Sequence, residues 1–347
     1  MAHVYLIIVA VGSATLLVDL GNRLFGTYSR TPFKAAFRVA ILVACTAALL
    51  LPAIFLACDL TTEFVMNYAK TSAAISLVCT GHFIWPFKWG IARSKATPRT
   101  SLEVLVPGIE VCKSDVEIAN LPDSADGLKC LILTDIHCNS RKKLLLLQSA
   151  IQKLRGCEPD LVALLGDFGE HSELLPEVVS AVCTVSGRLG TFCVLGNHDC
   201  EHGRDVLLRE LLRTHDVRIL DNEVEYLVGN EITLVGLCHP WIHRPFPNEP
   251  SRGFAIGLSH TPDNMRRLNR LNVQIAFAGH THGGKCRLPG FGAILVPSAF
   301  GRFLTEGWFK FGHVLMRVSR GIGYFPGRLG NRGEILFVTL WKSLPRT

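Results

Sequence analysis

The twelve cysteines of this chain contain no Cys-x-x-Cys pair and no compact cluster. That absence argues against a disulfide framework, and a thiolate metal site is disfavoured as well because oxygen and imidazole donors are already at hand in motifs later in the chain. Spread singly, with Cys45, Cys58 and Cys79 in or at long apolar runs, they read as small buried side chains in a reducing compartment. Acidic residues are scarce at the front: the first hundred positions hold 3 Asp and Glu against 9 Lys and Arg, whereas the remainder holds 26 against 27. A body so near neutrality argues against a nucleic-acid partner. Its local basic clusters, Arg141-Lys142-Lys143 and Arg266-Arg267 with Arg270, read as solvated helix faces or as faces turned to a membrane or an anionic substrate. No internal repeat or low-complexity stretch occurs, which sets aside solenoids and flexible tethers. No basic stretch precedes the first apolar run and no small-residue cleavage site follows it, so a removable signal peptide is disfavoured.

What is present begins with hydrophobicity. At 48% hydrophobic residues the chain is rich for a purely water-soluble protein, and the excess lies in Val4 to Val18, Val39 to Cys58 and, more weakly, Ala69 to Phe87. The second run is twenty residues, apolar on all sides, and long enough to span hydrocarbon; the first reads as a short or tilted span interrupted by Asp19 and Arg23. Residues 1–92 are therefore expected to form a membrane anchor of two or three transmembrane helices. Arg23, Arg30, Lys34 and Arg38 lie between the first two runs, and Lys88, Arg93, Lys95 and Arg99 follow the third, whereas Asp59 and Glu63 with a single Lys70 lie between the second and third. The positive-inside rule then predicts a multi-pass protein of the inner (cytoplasmic) membrane with its body facing the cytosol.

Residues 93–127, with Pro98, Pro107 and Pro122, read as a connector able to contribute edge strands. From Leu128 onward short apolar runs alternate with helical patterns. Leu128 to Thr134 ends at Asp135-Ile136-His137, Leu161 to Leu165 at Gly166-Asp167, and Phe192 to Leu195 at Gly196-Asn197-His198-Asp199; Leu144 to Leu154 and Leu174 to Val185 lie between with helical spacing. Such alternation predicts an α/β sheet, with the three motifs converging at the carboxyl ends of its strands. Glu225 to Leu227 and Ile232 to Leu237 read as a hairpin around Gly229-Asn230. Val273 to Ala278 leads into Gly279-His280-Thr281-His282, and strands at Ile294 to Val296, His313 to Ser319 and Ile335 to Leu340 predict a second sheet packed on the first.

Together with Ser259-His260, these segments offer oxygen and imidazole donors suited to phosphoester hydrolysis, in which two metal ions supply a nucleophile and absorb charge on the phosphoryl oxygens. Asp167 is the natural bridge, with Asp135 and His137 reaching one metal and Asn197 with His260 the other. His280 and His282, two apart on an extended segment, would share a face and each serve a different metal. The mixed Asp, Asn and His donors suit two divalent transition ions, Mn first, with Fe or Zn also fitting, better than Ca or Mg. Gly166, Gly196 and Gly279 would allow the tight turns that bring short side chains inward. His198, held protonated by the adjacent Asp199, could donate a proton to the leaving oxygen, which makes both candidate catalytic residues. His171, His202, His239 and His243 lack such context.

The ordered set Asp-x-His, Gly-Asp, Gly-Asn-His-Asp, His and Gly-His-Thr-His resembles the calcineurin-like metallophosphoesterases over about residues 128 to 342, giving a catalytic domain at 128–347. The resemblance implies a double-sheet α/β sandwich flanked by helices, with Asp135, His137, Asp167 and His282 at one metal, Asp167, Asn197, His260 and His280 at the other, and His198 near the phosphate. The tail from Gly301-Arg302-Phe303 through Ser319-Arg320-Gly321-Ile322-Gly323 to Arg328 resembles the subgroup with membrane-anchored or exported amino termini. Phe168-Gly169-Glu170 and Lys285 depart from the usual pattern beside the ligands. Anchor and motifs together are similar to the chlamydial type of UDP-2,3-diacylglucosamine pyrophosphatase, which implies a lipid-linked substrate split to 2,3-diacylglucosamine 1-phosphate and UMP in lipid A synthesis. Phe300, Phe303, Trp308, Phe309 and Phe311 would then seat acyl chains or, equally, pack the second sheet. The other readings are a broader anchored phosphodiesterase or phosphatase, and a non-catalytic membrane scaffold, which would be expected to lack ligands; none is missing.

Overall fold

The computed structural model describes residues 2–26, 43, 47, 51, 54, 63–84, 90–94, 99–228, 231–238, 240, 245–247, 250–284, 286–288, 292–323 and 332–343. Two seven-stranded sheets stack face to face. One runs in the order β2 (Arg99–Val106), β3 (Ile109–Ile118), β16 (Gly333–Lys342), β4 (Leu128–Leu133), β5 (Leu161–Leu164), β6 (Gly190–Cys193) and β7 (Val217–Ile219). The other runs β1 (Ala92–Arg93), β14 (Gly307–Phe311), β15 (Val314–Val318), β11 (Ile275–Ala278), β10 (Phe254–Ser259), β9 (Ile232–Leu237) and β8 (Val224–Leu227). A two-stranded ribbon, β12 (Cys286–Leu288) with β13 (Gly292–Leu295), stands apart.

Strands β4 to β7 are parallel to one another, as are β9, β10, β11 and β15. Among them β5, β10 and β11 are buried along their whole length because each sheet is covered on both faces. In β4, Cys130 and Ile132 enter the space between the sheets while Leu131 and Leu133 pack outward; Leu161 and Ala163 alternate with Val162 and Leu164 in the same way. The outer face is closed by α3 (Arg141–Leu154), α4 (Leu175–Val182) and α5 (Arg204–Thr214). Helix α3 starts where Ser140 accepts the Lys143 amide at 3.4 Å, and it buries Leu144, Leu147, Ala150, Ile151 and Leu154, the three- and four-residue spacing of one helix face. Helix α6 (Met265–Arg270) covers the outer face of the other sheet.

The hairpin predicted around residues 229 and 230 forms as β8 and β9, although its turn lies outside the described residues. Strands β2 and β3 belong to the first sheet, β3 pairing in parallel with β16 over ten residues. Much of the aromatic run packs in the core: Phe309 is fully buried, Phe300 and Trp308 are 8% exposed, and the partly buried Phe303 and Phe311 pack against the cluster that holds Phe300 and Phe309.

The expected transmembrane helices are not supported, since no helix among the described residues is long and apolar enough to cross a membrane. Helices do form at the first and third runs, α1 (Ala2–Gly26) and α2 (Glu63–Ile84), whereas Val39 to Cys58 lies almost wholly outside the described residues. Small and polar residues, Gly12, Ser13, Thr15, Asp19 and Asn22, lie among the apolar ones of α1, and Asp19 and Asn22 are buried. The two helices pack on each other so closely that a Cβ at Gly12 would fall 2.1 Å from the Ser76 Cβ, and the Thr15 and Thr80 hydroxyls share a hydrogen bond of 3.3 Å.

Candidate metal centre

The carboxyl ends of strands from both sheets converge on one point. Asp135 and His137 follow β4, Asp167 follows β5, Asn197 and His198 follow β6, His260 follows β10, and His280 and His282 follow β11. Backbone bonds lace these segments together: Asp135 N–H donates to Gly166 O at 2.9 Å, His137 N–H to Asp167 O at 3.0 Å, and Gly279 N–H to His260 O at 2.8 Å. Asp135, His137, Asp167, His260, His280 and His282 are all buried.

Donor atoms group around three centres, Asp135 with His137 and His282, Asp167 with His260 and His280, and His137 with Asp167 and His198, each set within 4.8 Å. The Asp167 Oδ2 atom lies 3.4 Å from His137 Nε2 and 3.3 Å from His260 Nε2, so one oxygen faces both of the first two groups. His282 Nε2 is 3.5 Å from Asp135 Oδ1, and the His280 and His260 rings stand 5.0 Å apart. His280 and His282 thus lie in different donor groups, and not on an extended segment: both backbones are left-handed, at φ 69° and 54°.

Asp135, His137 and Asp167 are also left-handed, at φ 52°, 45° and 57°. A non-glycine residue there costs about 1–3 kcal/mol, and five in one site mark a geometry imposed by the surrounding fold. The glycines act differently from expectation. Gly166, at φ +85°, fits its predicted turn role, whereas Gly196 and Gly279 are not left-handed. They are needed for close approach: a Cβ at Gly196 would lie 2.2 Å from Asp167 Oδ1, and one at Gly279 2.2 Å from Asp135 Oδ2.

Both Asp167 Oδ2 and Asn197 Oδ1 are buried without a hydrogen-bond partner, although a buried acceptor ordinarily finds a donor. Burial favours the uncharged imidazole, yet the carboxylates around His137 and His260 outweigh it, raising His137 to about 9 through Asp167 and Glu170, and His260 to about 10 through Asp167 and Asp135. Burial likewise acts to raise Asp167, but His260 and His137 hold it well below the usual carboxylate range. The site therefore concentrates negative charge that calls for cations, and its Asp, Asn and His donors fit two divalent ions.

The model of the calcineurin-like phosphoesterase family matches residues 128–284. This chain carries a calcineurin-like phosphoesterase domain. It is similar to the uncharacterized metallophosphoesterase YkuE of Bacillus subtilis (strain 168), at 26% identity over 245 residues, 67% of this chain and 85% of that one. The phosphodiesterase YaeI of Escherichia coli (strain K12) is 28% identical over 235 residues, 64% of this chain and 86% of that one. The UDP-2,3-diacylglucosamine pyrophosphatase LpxG of Chlamydia trachomatis is 25% identical over 260 residues, 57% of this chain and 78% of that one. The phosphoesterase domain makes the chain a metal-dependent hydrolase acting on a phosphoester.

Around the phosphoesterase centre, Asp199 corrects a sequence expectation. Its buried carboxylate accepts the amides of Asp167 at 2.7 Å, Phe168 at 2.9 Å and Gly196 at 2.9 Å, which ties two ligand loops together. The carboxylate beside His198 is instead Glu201, with Oε2 3.5 Å from Nδ1. The His198 side chain is 29% exposed, the most open of the imidazoles at the centre, and its ring meets that of His137 edge-on at 4.9 Å.

Several contributors carry no motif. Glu170 places Oε1 3.6 Å from His137 Nδ1, and its carboxyl drops to about 2 because of His137 and Asn139. Arg204 donates to His198 O at 3.1 and 2.6 Å and to Glu170 O at 3.0 Å. Gly323 N–H donates to Asp135 O at 2.6 Å, holding the Ser319–Gly323 loop under the first ligand. Glu170 left a sequence signal as a departure next to Gly-Asp, and Gly323 one as part of the tail motif, whereas Arg204 left none. His171 is exposed, whereas His239, His243, Lys285 and Arg328 lie outside the described residues, as does the side chain of His202.

Proposed function

We propose that the chain hydrolyses a phosphoester or pyrophosphate bond of a lipid-linked substrate at a membrane surface, with Asp135, His137, Asp167 and His282 holding one divalent ion and Asp167, Asn197, His260 and His280 the other. The observation that carries the ligand assignment is the single Asp167 oxygen facing His137 and His260. Two bound ions supply positive charge for the phosphoryl oxygens and lower the pKa of the attacking water. The protein's own residues do the rest. Glu170 and the Leu165 carbonyl, 2.6 Å from His260 Nδ1, orient the imidazoles. With Glu201 facing its Nδ1, His198 presents Nε2 as the acid that gives a proton to the leaving oxygen.

The substrate reading is UDP-2,3-diacylglucosamine, split to 2,3-diacylglucosamine 1-phosphate and UMP, with manganese as the metal and the catalytic domain, residues 128–347, on the cytosolic face beyond an anchor at 1–92 and a connector at 93–127. Its support is the likeness to LpxG, the basic residues at 23, 30, 34 and 38, and apolar side chains exposed on α1 and α2. Purified protein with Mn and the diacyl nucleotide is expected to release UMP, and Asp167→Asn to lower that rate about 10²–10³-fold. Efficient cleavage of aryl phosphates with no UMP would leave the second reading, a broader phosphodiesterase, favoured by the likeness to YaeI.

A further inference from the structure

We infer that α1 and α2 form a platform bolted to the catalytic domain through Asn22, which fixes the metal centre at a set height above a lipid bilayer. The inference rests on the membrane-surface reading above and adds how the surface is met. Asn22 is 3% exposed and uses both ends of its amide on the β12–β13 ribbon: Nδ2 donates to Ile294 O at 2.8 Å, and Oδ1 accepts Val296 N–H at 2.8 Å. A buried amide satisfied at both ends across 272 positions of sequence fixes a register that apolar contact alone leaves loose. The path onward to the metal centre is short. Ala293 of β13 packs on Gly284, where a Cβ would fall 2.3 Å away, and Gly284 is two residues from His282.

The helix pair is built the reverse way from a water-soluble hairpin. Its inner faces are rich in small and polar residues, with Gly12, Ser13, Ser72, Ala73 and Ser76 buried alongside Val9. Its outer faces expose Val4, Ile7, Val11, Ile75, Leu77 and Val78, with Val78 at 72%, an arrangement suited to lipid contact on the outside and close backbone approach within. On β13 itself Leu295, between the two residues that Asn22 holds, is 45% exposed and extends that apolar surface onto the catalytic domain. The occupant is a bilayer bearing anionic headgroups, because the sequence from Leu20 to Cys58 carries Arg23, Arg30, Lys34 and Arg38 and no acidic residue.

The full chain with Mn is tested on a soluble aryl phosphodiester and on UDP-2,3-diacylglucosamine in phosphatidylethanolamine and phosphatidylglycerol vesicles. Asn22→Ala is expected to sediment with vesicles and to cleave the soluble diester as the wild type does, while its vesicle rate falls about ten- to a hundredfold from misplacement of the centre. Hydrogen exchange at the Val296 amide, slow in the wild type, is expected to become fast in Asn22→Ala. An unchanged vesicle rate, an equal fall in both rates, or an unchanged Val296 amide overturns the docking. If the wild type cleaves the soluble diester but not the vesicle-borne nucleotide, while Val296 behaves as expected, the lipid substrate fails and the docking stands. A wild type that ignores vesicles and forms a dimer through the apolar faces overturns the platform.

Discussion

At the residue scale, the centre depends on side chains and glycines packed without slack. Gly196→Ala puts a methyl group against the Asp167 carboxylate, with His260 Cε1 2.8 Å away. Overpacking of that kind costs about 1–3 kcal/mol. The expected result is a lowered Tm together with loss of bound metal and activity, whereas Gly21→Ala, which meets nothing within 4 Å, leaves all three unchanged. Metal content measured on both purified variants checks this. The residues that meet at the centre were legible as candidate ligands because most sit in a short motif at a strand end. Asp199 was misread because sequence adjacency to His198 says nothing about side-chain direction: its carboxylate turns back onto the amides of Asp167, Phe168 and Gly196.

At the scale of elements, α5 is tied to two catalytic loops through Arg204, which bonds to the carbonyls of His198 and Glu170. Arg204→Gln removes that clamp without touching a ligand. A fall of about 10–100-fold in kcat/KM is expected, the scale of losing an orienting contact, with two metal equivalents retained by elemental analysis. Period and turn chemistry gave β4, β5, β6, α3 and α4 nearly at their observed positions. They did not reveal α5 or β10, nor the entry of β2 and β3 into the first sheet, which rests on β3 pairing with β16 from the far end of the chain, Ile109 opposite Gly333. At the front of the chain hydropathy implied spans that no helix among the described residues supports, and small and polar residues let α1 pack on α2 and on the β12–β13 ribbon.

At the scale of the whole molecule, the two sheets are joined by more than apolar packing. Arg317 of β15 bonds to Glu334 of β16 at 2.7 Å, with both side chains buried, and Glu334 also accepts from Ser319 Oγ at 3.2 Å and the Arg320 amide at 3.0 Å. Burial would raise the Glu334 carboxyl, but Arg317 and Arg320 hold it below its usual 4.5. A depressed folded pKa means that the stabilisation is complete above 4.5 and is lost as pH falls through the lower folded value. Glu334→Gln is therefore expected to flatten the acid side of a Tm–pH profile. Arg317→Met strands the carboxylate and is expected to cost about 3–5 kcal/mol near neutral pH, measured by denaturant unfolding. Chelation acts on the same scale: EDTA is expected to abolish hydrolysis and lower Tm, and added Mn to restore both, because ions that bind only the folded state stabilise it by mass action.

By itself the sequence determined the identity and order of the candidate donors and the strand-end positions of the first three motifs. Those follow from residue type and local period, which act over a few positions. Only the tertiary structure decided that His260, His280 and His282 arrive from the second sheet to meet Asp135 and Asp167 from the first, that five ligand backbones are held left-handed, and that Asn22 fastens the amino-terminal helices to the ribbon beyond His282. Each depends on contacts between segments far apart in the chain, whose energies no local window contains.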